Sequence, residues 1–84
     1  MDGLKEGLWR TYYPSGERRS EGRYEHGHET GHWTIWGADG NSETSGEYWN
    51  GQRTGIWRDT VGGVMVRERT FRDGLLMTDQ QFLP

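Results

Sequence analysis

The sequence predicts an all-β protein, built of tandem antiparallel β-hairpin repeats of ~24 residues stacked into one twisted, elongated sheet. Three observations predict it. Gly-x-Trp recurs at Gly7-Leu8-Trp9, Gly31-His32-Trp33 and Gly55-Ile56-Trp57, at intervals of 24 and 24. Turn glycines keep nearly the same interval in two series, Gly3, Gly27, Gly51 and Gly74, and Gly16, Gly40 and Gly63. The aromatics Tyr24, Tyr48 and Phe71 follow them. The later landmarks all shift by one residue together, so a single deletion lies between Trp57 and Gly63. No segment has a sustained helical period.

The elements follow in order within one domain, 1–84. A lead-in over 1–6 enters at the closing turn of an absent unit, which leaves the following strand open to another molecule and makes a homodimer an expected partnership. Repeats then run over 7–30, 31–54 and 55–77, with a tail at 78–84. Each opens on a first strand, GLWRTYY, GHWTIW or GIWRDTV. A glycine turn follows (PSG, ADG or VGG), then a second strand, ERRSEGRY, NSETSGEY or VMVRERTF. The closing turns carry Asn50-Gly51 and Asp73-Gly74, strong signals for tight two-residue hairpins. Gly22 and Gly46 fall inside second strands, where they mark bends or the close approach of a neighbouring Trp ring.

Strand alternation assigns the faces. Trp9, Thr11 and Tyr13 share a side with Trp33 and Ile35, and with Trp57, Asp59 and Val61. The opposite side carries Leu8, Arg10 and Tyr12, then His32, Thr34 and Trp36, then Ile56, Arg58 and Thr60. The first set holds every repeated Trp, so it is the expected core, with Tyr24, Tyr48 and Phe71 stacked beside it. Five Trp, four Tyr and two Phe in a chain only 30% apolar point the same way. Rings supply burial that the scarce aliphatics do not, and a lone hairpin is marginal in water, so stacked neighbours must stabilise each unit.

Composition narrows the function. Net charge is -3, with 13 acidic and 10 basic residues, which gives neither nucleic acid nor anionic membrane a basic footprint. Arg10, Arg18, Arg19, Arg23, Arg53 and Arg58 lie among glutamates that would repel phosphates. Cysteine is absent, the start MDGLKEG has no secretion-signal pattern, and no apolar run reaches membrane-spanning length. A cytoplasmic location is expected.

The stretch EHGHETGHW raises the question of zinc, because it places His26, His28 and His32 close together. The repeat answers it. His26 occupies the slot of Asp2, Asn50 and Asp73, before a turn glycine. His28 matches Leu4, Gln52 and Leu75, and His32 matches Leu8 and Ile56. Three ordinary slots need not converge, and neither cysteine nor a carboxylate stands at ligand spacing. No metal, cofactor or catalytic residue is expected. The glutamates Glu17, Glu21, Glu43, Glu47 and Glu68 alternate along second strands as a solvated face does, and no phosphate-cradling glycine motif is present.

What remains is an interaction protein. Tyr12, Trp36 and Trp49, with Arg10 and Arg58, are the residue types of binding hot spots and lie where the repeat does not obviously bury them. The alternative is a second small core, covered by the tail. Leu75, Leu76, Met77, Phe82 and Leu83 form the densest aliphatic group, and the expected role is a cap folded over the terminal hairpin. The competing role is an edge offered to a partner.

The pattern GLWRTYYPSG…EGRYEHG…GHW…GEYWNGQRTGIW resembles the MORN family, in particular its bacterial variant repeat. Tyr13-Pro14-Ser15-Gly16 and Tyr48-Trp49-Asn50-Gly51 match it most closely, and the resemblance spans residues 2 to 74. It implies stacked hairpins in an elongated twisted sheet. It also implies antitoxin-like roles in bacteria, and scaffolding, dimerisation or lipid association elsewhere, although the charge balance does not favour lipid. The chain departs from the pattern at DTVGG and at Thr78, where glycine is expected. The expected function is therefore a non-enzymatic module that neutralises a protein target, as an antitoxin, immunity protein or inhibitor. The alternative is a scaffold or self-assembly module.

Overall fold

The computed structural model describes residues 3–82. Its strands are β1 (Gly7–Tyr12), β2 (Arg18–Glu25), β3 (His28–Trp36), β4 (Ser42–Trp49), β5 (Gln52–Val61), β6 (Val64–Arg72) and β7 (Leu75–Gln81). Each pairs antiparallel with its neighbour in sequence, giving one open seven-stranded meander. The molecule measures 50 × 34 × 13 Å. Packed sheets lie ~10 Å apart, so a thickness of 13 Å is that of one sheet and its side chains. The all-β, single-sheet fold is as predicted.

One end of the sheet is closed by His26-Gly27, Asn50-Gly51 and Asp73-Gly74. Their φ values pair as 52° and 82°, 51° and 83°, and 51° and 81°. Both central residues of each turn are thus left-handed, the geometry whose twist matches antiparallel strands. Asp2, expected in the same slot, lies outside the described residues. Each turn glycine donates its N–H to a carbonyl of the preceding unit, Gly27 to Lys5, Gly51 to Glu29 and Gly74 to Arg53. At the other end, residues 13–17 and 37–41 connect the first two hairpins, whereas Gly62-Gly63 alone joins Val61 to Val64. The deletion read from the sequence is this tighter turn.

Strands β3 and β5 begin at His28 and Gln52, earlier than Gly31 and Gly55, where the sequence suggested a start. Those glycines lie within the strands, at φ +70° and +69°, and mark slips in register. Glu21 faces Thr34 and Arg23 faces Thr30, so Gly22 alone spans Gly31 to Trp33. Gly46 likewise spans Gly55 to Trp57. The slip lays the Trp33 ring over Gly22 and the Trp57 ring over Gly46. A Cβ on either glycine would come within 2.0 or 2.3 Å of ring atoms. Each indole N–H then reaches a carbonyl of the strand it covers, Trp33 to Arg23 at 3.1 Å and Trp57 to Glu47 at 3.0 Å. The expected close approach of a Trp ring is the reason for both glycines.

The rings form a continuous edge-to-face ladder. Centroid separations are 5.9 Å for Trp9–Tyr24, 5.2 Å for Tyr24–Trp33 and 5.9 Å for Trp33–Tyr48. They continue at 5.1 Å for Tyr48–Trp57 and 6.4 Å for Trp57–Phe71. Trp57 is 0% exposed and Trp33 6%, the buried hydrophobic residues among those described. Burying about 200 Å² of ring at ~25 cal/mol per Å² is worth ~5 kcal/mol before the entropy of ordering it. Cations roof the row: Lys5 lies over Trp9 and Tyr24 at 5.2 and 5.0 Å, and Arg53 over Trp57 at 4.3 Å. Burial pushes the Tyr24 phenol above its ordinary pKa, reinforced by the Glu29 carboxylate and by Tyr48.

Beyond the rings the same face turns polar. Thr11 and Ser20 share a hydrogen bond, Thr44 donates to Asp59 at 2.6 Å, and Arg69 sits 3.4 Å from Asp59. Arg67 holds Asp79 with two hydrogen bonds, 2.9 and 2.6 Å. This last pair fastens β7 to β6.

The tail requires a correction. It does not fold over the terminal hairpin as a cap; residues 75–81 pair with β6 and extend the sheet as its last strand. Every residue of β7 is exposed. Two-residue turn chemistry at Asp73-Gly74 directs the chain back alongside β6, and once paired there it cannot cross either face. Phe82 follows, half-buried, donating its N–H to Val66 at 2.8 Å. Leu83 lies outside the described residues.

Candidate functional site

The face opposite the ladder carries the predicted binding residues. Residues 75–81 pair with β6 and do not cross it. Trp49 is 71% exposed and Tyr12 52%. Arg10 pairs with Glu21 at 2.9 Å and Arg58 with Glu68 at 3.1 Å, both at exposed positions. Such pairs contribute little to stability, ~0–1 kcal/mol, and remain available to a partner.

These residues do not gather into one patch. Arg10 on β1 and Arg58 on β5 share a cross-sheet row through Glu21, Thr34 and Ser45. Four interstrand steps of ~4.8 Å separate them by roughly 19 Å. Trp36 ends β3 beside the 37–41 connection, whereas Trp49 ends β4 at the Asn50-Gly51 turn. The two indoles mark opposite ends of the strands.

Two clefts result. Around Trp36, the Arg18 guanidinium stacks on the ring at 4.3 Å, and the indole N–H donates to Glu43 at 3.1 Å. Arg18 also faces Tyr12 across β1 and β2. A shallow cleft of about 310 Å³ opens there, bounded by Arg18, Trp36, Glu43 and Thr60 and by the Gly62-Gly63 turn. The second cleft, about 140 Å³, flanks Trp49 and is lined by Glu25, His26, His28, Thr30 and Asn50. Arg18 and Glu43 at the first cleft, and Glu25 and Thr30 at the second, were not singled out as binding residues from sequence. For Glu43 the signal was its pairing with Trp36 across β3 and β4, which needs the register as well as the repeat.

The histidines occupy the slots that the repeat assigned. His26 is a left-handed turn residue whose backbone N–H donates to Glu6 at 3.0 Å, and its ring lies 3.4 Å from the same carboxylate. His28 lines the Trp49 cleft, and the His32 ring lies 3.0 Å from Glu47. Two of the three thus face different carboxylates. Among the described residues no three His, Cys, Asp or Glu side chains are grouped to hold a metal ion. No helix among them is long and apolar enough to cross a membrane.

Both clefts are shallow, carry an indole among polar side chains, and present side chains outward from a flat sheet. A scan against protein-family models finds no match to the chain, and no curated protein matches it in sequence.

Proposed function

We propose that this chain is a non-enzymatic protein-binding repeat module that neutralises a protein target by covering part of its surface, in the manner of an antitoxin, an immunity protein or an inhibitor. The observation that carries the reading is Trp49, an indole 71% exposed on a face the described residues leave uncovered. Exposed Trp and Tyr flanked by Arg are typical anchors of protein interfaces. The resemblance of the repeat to variant MORN sequences points the same way. The module would act in the cytoplasm, with neither nucleic acid nor membrane as its partner.

The test is co-purification from the native host, together with co-expression alongside the products of adjacent genes. Wild-type protein should retain a defined protein partner and suppress its activity. A Trp49→Ala/Tyr12→Ala double variant with an unchanged circular dichroism spectrum should lose it. Absence of any protein partner, or equal retention by the double variant, contradicts the reading.

A second reading is a scaffold whose partner is itself. It is favoured by β7, a fully exposed edge strand carrying Leu75, Leu76 and Met77. Sedimentation across concentration separates the two. Assembly that grows without limit supports the scaffold, and a fixed monomer or dimer supports the binding module.

A further inference from the structure

The ring ladder repeats one junction twice inside the molecule and then presents half of it at the β1 edge. In the β2–β3 junction the Trp33 ring lies over Gly22, donates to the Arg23 carbonyl and meets Tyr24 at 5.2 Å. In the β4–β5 junction Trp57 does the same over Gly46, Glu47 and Tyr48, the last at 5.1 Å. Trp9 is the same residue in the first unit, but among the described residues no strand precedes β1. Its indole N–H turns to the Glu6 carbonyl at 3.3 Å, in its own chain segment. Its exposure is 39%, against 6% and 0% for the other two. Strand β1 begins at Gly7, three repeat positions later than β3 at His28 and β5 at Gln52, each of which has a strand on that side.

We propose that the outer edge of β1 is a strand-acceptor site. Its occupant is an extended segment of a partner protein carrying a glycine followed two residues later by an aromatic ring. The two internal junctions define that chemistry. The glycine is the one residue that fits beneath the indole, the carbonyl after it takes the indole N–H, and the aromatic side chain completes the ladder beyond Trp9. Backbone pairing along an open edge supplies the affinity and the alternate side chains supply the selectivity. A second copy of the chain does not offer this segment. Strand β7 has no Gly-x-aromatic, and Gly7 before Trp9 is left-handed at φ +77°, unlike Gly22 and Gly46. The inference rests on the reading of the chain as a protein-binding module, and it uses a surface separate from Trp49 and Trp36.

The experiment adds a synthetic peptide of residues 18–25, RRSEGRYE, to the unmodified ¹⁵N-labelled protein, beside the same peptide with Gly22→Val. The glycine peptide should bind saturably, moving the Trp9 indole N–H and the amides of residues 4–12 and slowing exchange along β1. The Gly22→Val peptide should lose that binding. Equal binding of both peptides, binding of neither, changes confined to β7, or self-association of the protein through β1 overturns the inference. A partner captured through Trp49 with no peptide bound at β1 removes this site and leaves the proposed function standing. Peptide binding at β1 with no protein partner captured from the native host leaves this site standing and removes the proposed function.

Discussion

A Cβ placed on Gly46 would lie 2.3 Å from the Trp57 ring, and that ring is wholly buried between Tyr48 and Phe71. Gly46→Ala must therefore push the indole off its strand or shift the β4 backbone, and overpacking of this kind costs ~1–3 kcal/mol. Chemical denaturation should show a loss in that range, and Gly22→Ala should match it through Trp33. Position 69 is the internal control. It holds the same slot in the third unit, where no Trp ring crosses it because Gln80 stands at the position of a fourth Trp. Arginine is accommodated there, with its guanidinium 5.7 Å from the Phe71 ring. His26 gives a smaller prediction of opposite sign. Its φ of 52° is the one that Asn50 and Asp73 adopt in the equivalent turns, and Asn-Gly suits that geometry better. His26→Asn should raise stability by a few tenths to about 1 kcal/mol, read as an increase in denaturation midpoint. An unchanged or lower midpoint would show that the ring contact with Glu6 outweighs the backbone preference.

At the scale of the strand, β7 has no ring to bury and is held by backbone pairing, the Arg67–Asp79 pair and a hydroxyl hydrogen bond between Thr70 and Thr78. The hydrogen bond from Arg67 holds the Asp79 carboxyl below its ordinary value, aided by the charges of Arg67 and Arg69, with desolvation opposing. A lowered folded pKa means that the contribution of this group is complete above the ordinary aspartate value of 3.8 and is lost as pH falls through the lowered folded value. Relative to the intrinsic exchange rate at each pH, the amides of residues 76–81 should then lose protection on acidification through that window while those of β3 to β5 keep it. In Asp79→Asn that pH dependence should vanish. Uniform loss of protection along the chain would contradict the assignment. The same strand marks where the sequence ceased to be legible. Repeats, turns and ladder were readable because Gly, Trp and Tyr recur at fixed spacing, and each recurrence reports a steric need. In β7 both signals are gone, Thr78 for glycine and Gln80 for Trp, so an ordinary edge strand read as an apolar cap. Gly31 and Gly55 misled in another way. They mark bulges inside strands, and a glycine alone does not distinguish a bulge from a strand end.

For the whole molecule, the sheet is one layer thick, with the ring ladder on one face and Trp49 and Tyr12 exposed on the other. Alternation placed the repeated Trp on one face, where the ladder is found. It could not predict that half-buried Trp36 and exposed Trp49 would line separate clefts, because distance across the sheet depends on strand order and register. The division is also the most direct target for experiment. The measurement is the unfolding free energy of Trp57→Ala beside that of Trp49→Ala under identical conditions. Trp57 lies within the ladder and Trp49 stands 71% exposed on the opposite face. The account predicts a loss of ~3–5 kcal/mol for Trp57→Ala and within about ±0.5 kcal/mol of no change for Trp49→Ala. Equal losses, or a larger loss at Trp49, would contradict the claim that a single row of rings on one face holds the sheet together.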